Sequence, residues 1–82
     1  MSRYRIEFDK QALKYLQKQP RKHQERLLKA IYHLPEGDVR QLKGYSHRFR
    51  LRVGDYRVIF DMEENKMIIL VLVVGSRGDI YK

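Results

Sequence analysis

The chain has 82 residues and a mass of 10.0 kDa, enough for one domain that buries about 60–65% of its unfolded surface. Eighteen Lys and Arg against ten Asp and Glu leave a net charge of +8, which points to a polyanionic partner: nucleic acid, an anionic membrane surface or an acidic protein. Cysteine is absent, which excludes a disulfide framework, a thiolate zinc site and a cysteine nucleophile. No signal-peptide core opens the chain, and the longest apolar run, Met67 to Val74, falls far short of the ~20 residues that span a bilayer. A soluble, basic, cytoplasmic domain with no membrane partner is expected.

Tyr4 to Phe8 alternates apolar and charged residues with period two, the pattern of a half-buried strand. Asp9 offers an N-cap to a short helix in which Ala12, Leu13 and Leu16 form an apolar stripe. Pro20 ends that helix or opens the next, since proline is tolerated in a first helical turn. The second helix carries Leu27, Leu28, Ile31 and Leu34 on one side, and Pro35-Glu36-Gly37-Asp38 stops it. The rest reads as strands. Phe49, Leu51 and Val53 alternate with Arg48, Arg50 and Arg52, and Gly54-Asp55 is a tight hairpin turn. Tyr56 to Met62 is apolar on both parities at Val58, Ile59 and Phe60, as in a strand covered on both faces. After a turn at Glu63-Glu64-Asn65-Lys66, the run Met67 to Val74 is a central strand, and Gly75 to Asp79 leaves the sheet as a loop. The expected fold class is α+β: β-α-α-β-β-β, two N-terminal helices on a four-stranded, largely antiparallel sheet, as one domain over residues 1–82.

The densest chemical signal runs from Arg40 to Arg57, where Arg40, Lys43, Arg48, Arg50, Arg52 and Arg57 meet one acid, Asp55. Strand alternation projects Arg48, Arg50 and Arg52 from one face, about 6–7 Å apart, close to the spacing of phosphates along RNA. Arginine suits phosphate because its planar fork donates paired hydrogen bonds and stays charged. A merely solvated outer face, neutralised by acids elsewhere, is the bland alternative. Tyr45, Tyr56 and Tyr81 interleave with the cations. Ordinary packing is the expectation for Tyr45 and Tyr56, whereas Tyr81 follows Arg77 by four residues just after the central strand. His23 and His33 lie ten residues apart on the second helix without ligand spacing, so surface or capping roles are expected. The parity of His47 matches Phe49 and Leu51, which directs it away from the arginine face. No metal site and no Gly-rich phosphate loop is expected, and no cofactor.

Leu42-Lys43-Gly44, then Phe49 through Phe60 with its Gly54-Asp55-Tyr56-Arg57 hairpin, then Val74-Gly75-Ser76-Arg77 with Tyr81, resemble the RelE/ParE toxin superfamily over nearly the whole chain. The likeness is to the RelE branch. It implies a toxin of a type II toxin–antitoxin pair, partnered by a cognate antitoxin, that enters the ribosome and cuts mRNA in the A site. It further implies that Arg50 and Arg52 match two basic strand positions of the family's active site. Arg57 matches the arginine after the hairpin, Arg77 the one following the last strand, and Tyr81 the C-terminal tyrosine. Arg40, Lys43 and Arg48 would add contacts to RNA. All five active-site positions are filled, unlike the pattern of the gyrase-poisoning ParE branch. Some relatives carry lysines at the two strand positions. Arginine keeps its proton at any relevant pH and is a poor base, so Arg50 and Arg52 read as charge stabilisers.

The expected reaction is a transesterification that needs no metal or small-molecule cofactor, in which the substrate's 2′-hydroxyl attacks the adjacent phosphorus. Two rivals stand beside it. One is a toxin acting by binding alone, such as a gyrase inhibitor or an inactive toxin. The other is a general RNA- or DNA-binding module.

Overall fold

The structure is a computed structural model that describes residues 3–76. Strand β1 (Arg5–Phe8) leads into helix α1 (Lys10–Gln17), and helix α2 (Arg21–Tyr32) follows a short joint. Strands β2 (Asp38–Gln41), β3 (Arg48–Val53), β4 (Tyr56–Glu63) and β5 (Ile68–Ser76) complete the described chain. They form a five-stranded sheet in the order β1-β5-β4-β3-β2. β1 runs parallel to β5, and the other pairings are antiparallel. The α+β expectation holds, with one strand more than foreseen. The additional element is β2, a four-residue edge strand that begins where a helix-stopping turn was read.

Local chemistry sets each boundary. The Asp9 carboxylate accepts from the Gln11 N–H at 3.1 Å and caps α1. Pro20 occupies the position before α2, so its missing N–H removes nothing from the helix ladder. Gly54 turns β3 into β4 at φ 58, a conformation that strains residues bearing a Cβ.

Both helices cover one face of the sheet. Ala12 and Leu16 from α1 and Leu27 and Ile31 from α2 bury against Leu51, Val58, Phe60, Ile69 and Val71. Phe49 stacks on its cross-strand partner Phe60 with ring centroids 5.6 Å apart. The opposite face carries Arg48, Arg50 and Arg52. Ile59, cross-strand from Arg50, is buried on that side, so β4 is covered on both faces as its sequence suggests.

A polar bolt fastens the helical layer to the start of β4. The Tyr56 hydroxyl donates to Gln19 Oε1 at 2.8 Å and lies 2.7 Å from His23 Nδ1. Since the hydroxyl has one proton, His23 donates its Nδ1–H in return. Gln19 Nε2 completes the chain by donating to the Tyr15 carbonyl at 3.1 Å.

Phe60 has no exposed surface, so Phe60→Ala should remove about 3–5 kcal/mol of stability, read from urea unfolding. The bolt gives a second expectation. Desolvation, reinforced by Tyr15 and Asp55, holds the Tyr56 phenol above its ordinary value of 10.0. Its contribution is therefore fully present below the unfolded phenol's pKa and is lost as pH rises through the folded one. Stability should decline more steeply above about pH 10 in the parent chain than in Tyr56→Phe, measured as the difference between their unfolding curves.

A candidate phosphate-binding face on the sheet

Register assembles this face. Arg40 of β2 lies opposite Arg50, Asp38 opposite Arg52, Arg52 opposite Arg57, and Arg48 opposite Asp61. Five arginines from three strands thus share the surface with two carboxylates. Like charges directly opposite one another weaken a sheet, so stability alone does not favour the Arg40–Arg50 and Arg52–Arg57 pairs.

The arginines are held differently. Arg57 is 8% exposed, and its Nη1 donates to the carbonyls of Gly54 at 3.3 Å and Tyr56 at 3.1 Å. The hairpin's own backbone thereby clamps one edge of the guanidinium, and its Nε has no hydrogen-bond partner among the described residues. Arg50 is 9% exposed, with Nε and Nη2 likewise unpartnered by hydrogen bonds. Its nearest acid is Asp38, whose Oδ1 lies 3.5 Å from Arg50 Nη2. The other oxygen of Asp38 lies 3.6 Å from Nε of Arg52, whose side chain is half exposed. A buried guanidinium with unpaired N–H groups is costly, and such a group in a native fold calls for a functional account.

Arg48 is engaged within the fold. Its Nε and Nη2 donate to both oxygens of Asp61 at 2.7 and 3.1 Å, and its guanidinium lies 4.8 Å from the centre of the Tyr45 ring. The hydrogen bond it donates to Asp61 holds Arg48 charged more firmly than usual, against an opposing desolvation. Tyr45 is 48% exposed and serves as a platform for Arg48, which departs from the packing role expected of it. His47 also departs from its expected direction. It precedes β3, outside the strand's alternation, and its Nε2 lies 3.7 Å from Asp61 Oδ2. His33 caps α2, with Nδ1 bonded to the Lys29 carbonyl at 2.7 Å.

Of the residues singled out from the sequence, Arg40, Arg48, Arg50, Arg52 and Arg57 come together. Lys43 is exposed in the turn after β2, outside the paired strands. Arg77 and Tyr81 lie outside the described residues. β5 ends at Ser76, one residue past Gly75, the cross-strand partner of Arg57. A groove of about 500 Å³ flanks the face at the sheet edge, where Arg26, Lys29 and His33 meet Asp38 and Arg52. Among the described residues no three histidines or carboxylates converge as a metal site. Sequence reasoning missed Asp38 and Asp61, the face's two counter-ions. Asp61 shares parity with Arg57 and Ile59, a signal that could have found it.

Residues 6–81 match a family described as the ParE toxin of type II toxin-antitoxin system, parDE. The mRNA interferase toxin RelE of Escherichia coli K12 is 28% identical over 85 residues, covering 95% of this chain and 90% of that protein. The archaeal RelE of the RelE-RelB complex from Pyrococcus horikoshii OT3 superposes with a TM-score of 0.76 at 34% identity, over 93% of this chain and 97% of that one. The isolated Escherichia coli RelE toxin shares the fold, with a TM-score of 0.79 at 23% identity, over 95% and 88% of the two chains. The chain therefore belongs to the toxin family of type II toxin–antitoxin systems that unites ParE and RelE, on its RelE-like branch.

Proposed function

We propose that the chain, as a single toxin domain, is a ribosome-dependent endoribonuclease that cuts mRNA in the A site and acts in the cytoplasm. The observation that carries this reading is the pair of buried guanidiniums, Arg50 and Arg57, with Arg50 Nε and Nη2 and Arg57 Nε lacking hydrogen-bond partners among the described residues, on a face where five arginines meet two carboxylates. Its relatives include a protein named an mRNA interferase and a RelE solved with RelB. A cognate antitoxin with an acidic or amphipathic segment is the expected protein partner, neutralising this face.

In the proposed reaction the 2′-hydroxyl of the substrate attacks the adjacent phosphorus. The bond to the 5′-oxygen breaks, leaving a cyclic phosphate and a 5′-hydroxyl. Arg50, Arg52, Arg57 and Arg77 stabilise charge as it builds on the phosphate oxygens. Tyr81 orients the attacking hydroxyl or moves its proton, since none of the arginines is a base at neutral pH. Arg40, Lys43 and Arg48 extend the contact with RNA, with Arg48 having to be shared with Asp61 to do so. A toxin acting by binding alone is the second reading, favoured by the match to a family described as ParE.

Inducing the protein in cells and mapping mRNA 5′ ends separates the two. Cuts confined to translated frames are expected; inhibited growth without new ends would leave the binding-only toxin. On ribosome-bound message, Tyr81→Phe should slow cleavage by roughly 10²-fold or more. Arg57→Gln should slow it by about 10²–10³-fold, the scale for loss of one oxyanion donor. Neither variant should lose the antitoxin. Salt offers an independent check. If about four arginines contact phosphates, log affinity for single-stranded RNA should fall against log salt with a slope near −3, at ~0.7 per contact.

A further inference from the structure

Asp38 stands where no catalytic role has been given to it. Its carboxylate spans Arg50 Nη2 at 3.5 Å and Arg52 Nε at 3.6 Å, one oxygen to each. Both distances are long for charge-assisted hydrogen bonds, which lie near 2.7–2.9 Å, and Arg50 Nη2 makes no hydrogen bond among the described residues. The carboxylate is half exposed while the Arg50 side chain beside it is 10% exposed. The backbone fixes this arrangement. Gly37 holds φ 118, and a Cβ there would come within 3.1 Å of Leu51 Cδ1. The Val39 N–H closes on the Gly37 carbonyl at 2.9 Å. The chain thus enters β2 with Asp38 directly opposite Arg52. Without Asp38, Arg50 would face Arg40 opposite it and Arg52 two residues on, with no other described acid within ion-pairing distance.

We infer that the Asp38 carboxylate is a positioning residue and an internal stand-in for phosphate. It spaces the Arg50 and Arg52 guanidiniums in the free protein, and a bound phosphate displaces it. The loose contacts and the exposure of the carboxylate are what an exchangeable counter-ion requires. The bidentate Asp61–Arg48 pair, at 2.7 and 3.1 Å, shows the alternative, a counter-ion that stays. Two opposed effects follow. The carboxylate competes with phosphate, so it weakens anion binding. It also keeps both guanidiniums in place, so it speeds a reaction that depends on their geometry. This second effect rests on the proposed nuclease function, whereas the first does not.

The test pairs two readouts on Asp38→Asn, which keeps shape and removes charge. Inorganic sulfate, followed through the Arg50 and Arg52 Nε–H resonances, should bind about threefold tighter or more, as expected for deleting one charge at the protein surface. On ribosome-bound message, KM should fall or hold while kcat drops about tenfold or more, and Asp38→Glu should restore much of kcat. A purely structural role would instead lower sulfate affinity and turnover together. In the unaltered protein, the Asp38 carboxyl carbon should shift along the same sulfate titration curve as the two arginines, a result that needs no variant to fold. An Asp38 signal that stays still while the arginines respond overturns the inference, as does unchanged sulfate affinity in a folded Asp38→Asn. If sulfate displaces Asp38 but the parent chain cuts no message, the nuclease reading falls and the exchangeable counter-ion stands.

Discussion

The pairing of β3 with β4 governs both the core and the chemistry of this molecule. On one side of the hairpin, Leu51, Val53, Val58 and Phe60 are buried beneath the helices. On the other, Arg48, Arg50, Arg52 and Arg57 stand together. A slip of one residue would drive the arginines into the apolar layer and expose its partners, because strand side chains alternate strictly. Hydrophobic burial therefore selects the register, and the register in turn sets which cations meet. The cationic face needs no separate folding instruction; it is the reverse side of the core.

That face is electrostatically uneconomical as a scaffold. Two arginine pairs sit directly across strands, and two of the arginines, Arg50 and Arg57, are buried. Asp61 takes two hydrogen bonds from Arg48, one on each oxygen, and Asp38 is divided between Arg50 and Arg52 at longer range. Desolvated cations strengthen their interaction with an incoming anion, because the low local dielectric that penalises them alone magnifies the attraction. A surface tolerating such penalties is suited to phosphate, which accepts several charge-assisted hydrogen bonds at once.

Much of this was legible in the chain. The alternation of Phe49, Leu51 and Val53 with the arginines and the Gly54-Asp55 turn each follow from one local rule, and each lies where that rule puts it. The apolar run of β5 is a strand as expected, but pairing with Tyr56 and Arg57 carries it on through Gly75 and Ser76, where a loop leaving the sheet is the sequence expectation. β2 escaped because Asp38-Val39-Arg40-Gln41 has one apolar residue among four, too few for periodicity to register. Its strand character comes from pairing with β3, a tertiary effect. With β2 unseen, Asp38 read as a turn residue and its ties to Arg50 and Arg52 were invisible. His47 and Tyr45 were misjudged for a related reason. Both precede β3, where strand parity does not apply, and contacts with Asp61 and Arg48 orient them instead. The pairing of Arg57 with Gly75 across β4 and β5 could be placed only once the bulge near Ile59 was known.

The graded restraint of the arginines bears on how such a face could act. Arg57 is clamped by two backbone carbonyls and Arg50 is walled in by its burial, so both are preorganised and little reorganisation attends the arrival of charge. Arg52, half exposed and tied only at 3.6 Å, keeps the freedom to follow a phosphate as bonds rearrange. Fixed donors favour the developing charge over the ground state, and a mobile one permits entry and release. No member of the set can take up a proton near neutral pH, since a guanidinium is already fully protonated there. Charge and proton must then be handled by different side chains. An arginine at each strand position thus commits the face to electrostatics and leaves the proton to a group beyond it, which is the role proposed for Tyr81.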